Sequence, residues 1–337
     1  MFQPFYSSVT RISDLQTKPY DCTALERDRW ATGDYVVCEV RGRSTPTYLV
    51  ELCSGRLAPV LEGDLVIGAF GRRAATVDAV GDWNAIGKNN RLHALTSGGL
   101  FGKMTSQSHL MAPLMRLEYK GHVVRNDKVC MQDFVPSTEQ KKLDMPVILI
   151  IGTSMSAGKT TSGRIIIHEL KRMDLKVAAV KFTGAGRYRD VLSFADAGAD
   201  HIFDFVDAGL PSTVCPEEKF EPSMRNFLSR ISDTDADILI AELGASPLEP
   251  YNGSIAMKLL QKNIVITVLS ALDPYAVLGI ERAFGMKPDL ITGPAANTEA
   301  GIALIEKLLG IKALNLVRRQ ALPDLQRLLN KHFKIAN

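Results

Sequence analysis

The sequence lacks the features of several protein classes. Its five cysteines are odd in number and contain no Cys-x-x-Cys pair, which argues against a disulfide framework or a zinc site. A net charge of +3 over 337 residues is too small to indicate binding to nucleic acid or to an anionic membrane surface. No apolar run approaches the roughly 20 residues of a bilayer span, and Met1–Tyr6 has neither the basic region nor the apolar core of a signal peptide. We therefore expect a cytoplasmic protein with free thiols and with no nucleic-acid or membrane partner.

The spacing of apolar residues changes near residue 140. Before it, short runs such as 34–40 and 64–70, rich in Val, Tyr and Leu, alternate with turns that contain Gly, Asp and Arg. This pattern predicts a small antiparallel sheet or barrel in residues 1–140. A polar segment bracketed by prolines, 134–146, is a candidate linker to a second domain in residues 141–337.

In the second half, apolar runs alternate with helical patterns. The runs predict strands at 147–151, 176–181, 237–242, 263–269 and 289–293, and helices are predicted at 160–173, 188–199, 274–284, 298–309 and 322–333. Strands that alternate with helices are typical of an α/β fold with a parallel, doubly wound sheet. In such a sheet, ligands bind at the carboxyl ends of the strands.

The most informative segment joins the first of these strands to the first helix. The apolar run Val147–Ile151 is followed by Gly152-Thr-Ser-Met-Ser-Ala-Gly-Lys-Thr-Thr161. In a phosphate-binding loop (P-loop), backbone N–H groups cradle phosphate oxygens, a lysine reaches the β- and γ-phosphates, and a hydroxyl binds Mg²⁺. Here that lysine would be Lys159 and the hydroxyl that of Thr160. The alternative is an ordinary turn from strand to helix. The predicted nucleotide-binding residues of the loop are Gly152, Thr153, Ser154, Ser156, Ala157, Gly158, Lys159, Thr160 and Thr161.

Later strand ends carry further candidates. Lys181 could face a phosphate or carboxylate, or could be a solvated lysine. Glu242 follows Ile-Leu-Ile-Ala, where a buried acid needs Mg²⁺ or a lysine beside it. Asp204 belongs to an acidic run that could supply a metal ligand or only helix caps and a solvated face. Asn297 could bind a base edge, or could cap the helix that starts near Thr298.

The N-terminal half offers two weaker candidates. The Gly-rich stretch Leu95–Ser106, with Lys103, could close over a substrate anion or form a surface turn. The pair Arg72-Arg73 is similarly ambiguous.

These motifs together resemble the dethiobiotin-synthetase-like branch of P-loop proteins, which includes cobyrinate-type amidotransferase synthetase domains. Gly152 and Gly158 have the spacing of that branch, where standard loops carry Gly at the position of Thr153. The segment 181–184 is similar to its Lys-Pro-x-x-Gly segment, and 242–245 lies where it has a metal-binding Glu-Gly-Ala-Gly corner. The chain departs from this pattern at residues 182, 243 and 246.

A closer resemblance is to a poorly characterised two-domain P-loop family, some of whose members are described as D-glutamate N-acetyltransferases. The segments 204–209 and 242–251 carry it, and it spans about 147–316. The β-rich N-terminal half does not match the nucleotide-fold N-terminal domain of that family.

The resemblance implies a ligase or synthetase that uses Mg²⁺ and ATP to phosphorylate a small-molecule carboxylate. Lys159, Lys181 and Glu242 would be catalytic, and Thr160 and Glu242 would bind Mg²⁺, with Asp204 as a further candidate ligand. Two alternatives stay open: an ATP-binding switch whose β domain docks a partner, and an amino-acid N-acetyltransferase. Members of this branch are often dimers, so a homodimer is an expectation.

Overall fold

The computed structural model describes residues 3–42, 48–244 and 246–333. A nine-stranded sheet and a separate two-stranded hairpin occupy its first part. Their strands are β1 (Phe5–Tyr6), β2 (Asp21–Thr23), β3 (Tyr35–Arg41), β4 (Leu49–Glu51), β5 (Leu57–Pro59), β6 (Leu65–Phe70), β7 (Arg72–Ala74), β8 (Ala79–Asp82), β9 (Arg91–Ala94), β10 (Leu100–Gln107) and β11 (Arg116–Val124).

Five strands of this sheet close into a barrel. The antiparallel pairs run from β6 to β3, β11, β9 and β10, and β10 returns to β6 as a parallel neighbour. Successive side chains of a strand point to opposite faces. Val40, Leu92, Phe101 and Leu117, from four different strands, accordingly share one buried apolar cluster.

The second part is a six-stranded parallel sheet flanked by helices. Its order is β14-β13-β15-β12-β16-β17. The strands are β12 (Val147–Gly152), β13 (Val177–Thr183), β14 (His201–Asp204), β15 (Ile238–Leu243), β16 (Ile264–Ser270) and β17 (Leu290–Thr292), and the helices are α1 (Lys159–Lys171), α2 (Tyr188–Asp196), α3 (Glu217–Ser232), α4 (Gly253–Leu260), α5 (Pro274–Phe284), α6 (Glu299–Leu309) and α7 (Leu322–His332).

Both faces of this sheet are covered. Along β12, Ile148 and Ile150 join one core cluster, while Leu149 and Ile151 join another. The first cluster contains residues of α1, α2 and α7, and the second contains residues of α3, α4, α5 and α6. The predicted α/β fold, a parallel doubly wound sheet preceded by a β-rich region, is therefore confirmed.

Some elements differ from the sequence prediction. β14, α3 and α4 were not predicted. β14 is a four-residue edge strand whose residues have no continuous apolar pattern, and α3 contains Pro222, which normally interrupts a helix. Among the residues that the structure describes, no helix is both long enough and apolar enough to cross a membrane.

Candidate functional site

The loop between β12 and α1 has the backbone of a phosphate-binding turn. Gly158 precedes the first helical residue with φ of +96°, and Ser156 has φ of +60°. The hydroxyl of Thr153, which stands where standard loops have Gly, accepts from the N–H of Leu272 at 3.2 Å. The loop therefore opens onto the N-terminus of a 13-residue helix, where exposed N–H groups and the helix dipole favour an anion.

The side chain of Lys159 folds back toward the P-loop that precedes it. Its Nζ donates to the carbonyl of Ser154 at 2.7 Å, and only 6% of the residue is exposed. A Cβ at Gly152 would lie 2.8 Å from that Nζ and 2.9 Å from the Lys159 Cδ, so a larger residue at the end of β12 would displace the Lys159 side chain from this path. Burial lowers the pKa of Lys159, and Glu242 opposes that effect.

Glu242 lies at the end of β15, beside the start of α1. It is 2% exposed, and its Oε2 accepts from the Thr160 hydroxyl at 2.9 Å. Burial raises its pKa, while Lys181 and Lys159 oppose that effect. The structure thus brings together the two residues predicted to bind Mg²⁺, as a pair of oxygen atoms suited to that ion.

Lys181 belongs to the same group of charges. It is buried at the end of β13 and forms an ion pair with Asp190 of α2. Burial alone would lower the pKa of Lys181, but Asp190 and Glu242 outweigh it and raise that pKa. The alternative of a solvated lysine is therefore wrong for Lys181.

These residues line a cavity of about 300 Å³ to which both halves of the chain contribute. The second half supplies the P-loop, Lys181, Glu242, Arg187 and Tyr251. The first half supplies Arg73 and Thr96, which are 4% and 6% exposed. Arg73 is held by the carbonyl of Leu95 and by Asp78.

The N-terminal half forms hydrogen bonds with the segment that follows β13. The Thr96 hydroxyl donates to the carbonyl of Gly186 at 2.8 Å. Glu51, which is fully buried, accepts from the backbone N–H groups of Tyr188 at 2.7 Å and Arg189 at 3.0 Å. Since α2 begins at Tyr188 and has no side-chain cap from its own segment, a carboxylate from the first half caps it.

The N-terminal half also forms hydrogen bonds with the segment that follows β15. The hydroxyl of Tyr251 accepts from the N–H of Ala74 at 3.1 Å. The Thr76 hydroxyl donates to Glu249 at 2.7 Å, and Glu249 also accepts from the N–H of Ser246 at 2.6 Å. Both segments that border the cavity beyond the P-loop are therefore tied to the β-rich region.

The structure does not bring Asp204 to this group. Although it is the register partner of Lys181, its carboxylate accepts from Arg11 at 2.6 Å and from the N–H of Val206 at 2.8 Å. Burial raises the pKa of Asp204, and Arg11 opposes this. Among the described residues, no cluster of three or more His, Cys, Asp or Glu side chains could hold a metal ion. Asp204 thus forms an ion pair with an arginine from the first half of the chain, and its predicted role as a metal ligand finds no geometric support.

Asn297 lies on the other side of the P-loop. Thr298, not Asn297, caps α6, because its hydroxyl accepts from the N–H of Gly301 at 3.1 Å. Asn297 lines a second cavity of about 190 Å³, together with Pro294 and Leu316. Both cavities have Gly158 and Thr161 in their walls, so they meet at the P-loop. The carbonyl of Asn297 is fixed by Asn315, whose Nδ2 donates to it at 3.0 Å.

Sequence reasoning missed several residues of the site. Arg187 and Tyr251 lie in segments that the sequence analysis covered, but without a role for these side chains. Asp190 belongs to the acidic run that was considered for a metal ligand, and its ion pair with Lys181 was not predicted. Thr96 lies within the Gly-rich stretch Leu95–Ser106, which the sequence suggested as a loop that could close over a substrate anion. No local signal marked Glu51, since its partners are about 137 positions away along the chain.

A strand, phosphate loop and helix at the carboxyl end of a parallel sheet define the P-loop NTPase fold, and this chain has that fold. No protein-family model and no curated protein sequence matches the chain. Among solved structures, it is similar to the hydrogenase maturation factor HypB from Archaeoglobus fulgidus, with 15% identity, 56% of this chain and 89% of that chain covered, and a TM-score of 0.40. HypB from Helicobacter pylori in complex with nickel has 16% identity, coverages of 56% and 86%, and a TM-score of 0.38. A DUF1611 family protein from Anabaena variabilis has 16% identity, coverages of 55% and 58%, and a TM-score of 0.36.

Proposed function

We propose that this chain binds ATP with Mg²⁺ at the P-loop and acts as a nucleotide-dependent switch that is read out by its β-rich region. One observation carries the proposal: hydrogen bonds join the first half of the chain to the two segments next to Lys181 and Glu242. The first-half residues in these bonds are Glu51, which accepts, and Ala74, Thr76 and Thr96, which donate. Segments beside the γ-phosphate change order or position between nucleotide states in many P-loop proteins. A change in either segment here would act directly on the β-rich region.

The residues at the loop fit a magnesium nucleotide. The buried Lys159 ammonium and the N-terminus of α1 supply positive charge for the β- and γ-phosphates. Thr160 and Glu242 would hold Mg²⁺, whose charge would offset the negative charge of the phosphate groups. Lys181 adds a cation at the same end of the sheet.

Asn297 favours adenine as the base. The second cavity adjoins the phosphate loop and has apolar walls that include Ile165, Pro294 and Leu316, as a planar ring requires. A side-chain amide offers one donor and one acceptor, the arrangement that pairs with N6 and N7 of adenine. Guanine has acceptors at both corresponding positions and pairs less well with an amide.

Carboxylate activation is a second candidate function. Arg73 and Arg187 line the cavity beyond the P-loop, where they would attract an anionic co-substrate to the γ-phosphate. Phosphorylation of a carboxylate relies on positioning and charge neutralisation, which such cations supply. Phosphate release that depends on a carboxylic acid would favour this function over the switch.

Thermal unfolding tests nucleotide binding. A ligand that binds only the folded state stabilises it by about 2.7 kcal/mol at 100 times its Kd. We expect Mg²⁺ with ATP to raise the Tm of the wild type more than Mg²⁺ with GTP does, and Lys159→Ala to abolish both shifts. The matched control is Lys171→Ala, because Lys171 lies at the other end of α1 in an ion pair with Asp200. No shift in the wild type with either nucleotide would refute the proposal, and a shift with acetyl-CoA alone would favour an acetyltransferase.

Hydrogen exchange tests the switch itself. The amides of Ala74, Thr76, Tyr188 and Arg189 should exchange at different rates in the presence of ATP and of ADP, because their N–H groups donate hydrogen bonds that cross between the two halves. Identical exchange in both nucleotide states, with tight binding of both, would refute the switch and leave nucleotide binding intact.

A further inference from the structure

A row of basic residues crosses the outer face of the barrel, away from the P-loop. Arg116 on β11 is the register partner of Arg41 on β3 and of His93 on β9. Leu92 and Leu117, next to them in sequence, are buried, so the basic side chains lie on the opposite face. Like charges directly opposite each other destabilise a sheet, so this row needs compensation.

The acids on this face compensate only part of the charge. Arg41 pairs with Glu118 at 2.6 Å and with Glu39 at 2.8 Å. Glu62 accepts from the backbone N–H of Gly42 at 3.0 Å. Within residues 3–42, 48–244 and 246–333, the ion pairs of this face join Arg41 or Lys120 to Glu39 or Glu118, and none involves Arg91, Lys103 or Arg116.

His93 adds a neutral donor to these cations. Its Nδ1 accepts from the backbone N–H of Met104 at 3.2 Å, so the ring proton is on Nε2. Burial, with Lys103 and Arg116, lowers the pKa of His93 to about 4. At neutral pH the ring is therefore uncharged and keeps one N–H to donate.

A cavity lies beside these basic residues. Arg91, His93, Lys103 and Arg116 line one cavity of about 540 Å³, and its wall also contains Arg41 with the acids Glu62 and Glu118. This volume lies in the range of small-molecule sites, roughly 300–1,000 Å³. A phosphate group has several oxygen atoms, each able to accept from a guanidinium, an ammonium or an imidazole N–H, and its charge would offset the uncompensated cations.

We propose that this cavity is a second anion-binding site, separate from the P-loop, and that it takes the phosphate group of a small molecule. Guanidinium groups bind phosphate through two parallel N–H donors, which favours Arg91 and Arg116 as the main contacts. Lys103 adds a point charge, and His93 Nε2–H completes the donor set. The site does not depend on whether the P-loop binds a nucleotide.

Imidazole NMR tests this site without interference from the P-loop. The full chain is labelled with [¹⁵N]histidine, and His93→Gln assigns the His93 signals among the six histidines. Titration with inorganic pyrophosphate at about pH 7 should shift the His93 Nε2 signal in a saturable way and raise the pKa of His93, because an adjacent anion favours the charged ring. A shift that stays linear with pyrophosphate concentration, or no shift, would overturn the proposal.

Matched variants separate specific contacts from general charge. Arg116→Gln, and independently Arg91→Gln, should weaken the apparent Kd at His93 by about tenfold or more, as expected for the loss of a hydrogen bond between charged groups. Arg56→Gln removes the same charge from an exposed position of the same region that does not line the cavity, and should change the Kd less than about threefold. Equal effects of all three variants would overturn the site. The other histidine signals report whether each variant is folded.

Discussion

Removal of the Glu51 carboxylate should destabilise the fold and loosen the start of α2. Glu51 is fully buried and accepts three hydrogen bonds, from the Ser8 hydroxyl at 2.5 Å and from the backbone N–H groups of Tyr188 and Arg189. Two of these donors are the first amides of α2, which have no other side-chain cap. The helix dipole adds to the attraction, because the carboxylate lies at its positive end.

The size of the effect follows from these contacts. A hydrogen bond to a charged group contributes about 1.5–3 kcal/mol, and an N-cap about 0.5–2 kcal/mol. The three contacts share one carboxylate and are not additive, so we expect Glu51→Ala to cost about 3 kcal/mol. Glu51→Gln keeps one carbonyl acceptor but turns an NH₂ group toward an N–H donor, and should cost about half as much.

Thermal unfolding measures this difference. At about 2 °C per kcal/mol for a chain of this size, Glu51→Ala should lower the Tm by roughly 6 °C. The amides of Tyr188 and Arg189 should also exchange faster in that variant. Glu139→Ala, which removes an exposed acid, is the matched control and should change the Tm by less than about 1 °C. Equal Tm values for the two variants would refute the capping role of Glu51.

Two further predictions concern buried charges. Arg11→Met should lower the free energy of unfolding, measured with denaturant, by about 3–5 kcal/mol, because it leaves the buried Asp204 carboxylate unpaired. Adding Asp204→Asn should restore most of this loss, and a double variant with no restored stability would contradict the prediction. Glu242 has a raised pKa in the folded protein, so its contribution to stability is fully present below its unfolded pKa and is lost as the pH rises through its folded pKa. Mg²⁺ binds the ionised form, so stabilisation by Mg²⁺ with ATP should increase as the pH rises above the ordinary range of a carboxyl group, and this pH dependence should weaken in Glu242→Gln.

The parts of the site that are contiguous in sequence could be predicted. Val147–Ile151, the loop and the start of α1 form one segment whose apolar run, small residues and Gly-Lys-Thr order each have a local physical cause. Glu242 could be predicted as well, because an acid directly after four apolar residues must find a partner. The contact between Glu242 and Thr160 could also be predicted, because both residues follow strands of the parallel sheet and the carboxyl ends of such strands lie at the same edge.

The role of Asp204 could not be predicted in the same way. Its place at a strand end resembles that of Glu242, and the local sequence does not distinguish a metal ligand from an ion-pair residue. The role of Asp204 is determined by its contact with Arg11, which is 193 positions away and lies in the other half of the chain. The side chain of Asn297 is a similar case, because only the structure shows that Thr298 takes the capping position.

The contact between the two halves constrains how a switch could work. Val9 and Tyr35 share one buried cluster with Phe182 and Phe205, so the apolar core is continuous across the boundary near residue 140. Separation of the halves would expose this core to water at a cost of about 25 cal/mol for each Å² of apolar surface. The hydrogen bonds at the cavity, such as that between Thr96 and Gly186, join loop segments and are individually weak, about 0.5–1.5 kcal/mol each. A signal from the nucleotide should therefore change these loop contacts while the shared core stays packed, which is why local hydrogen exchange, and not domain separation, is the appropriate measurement.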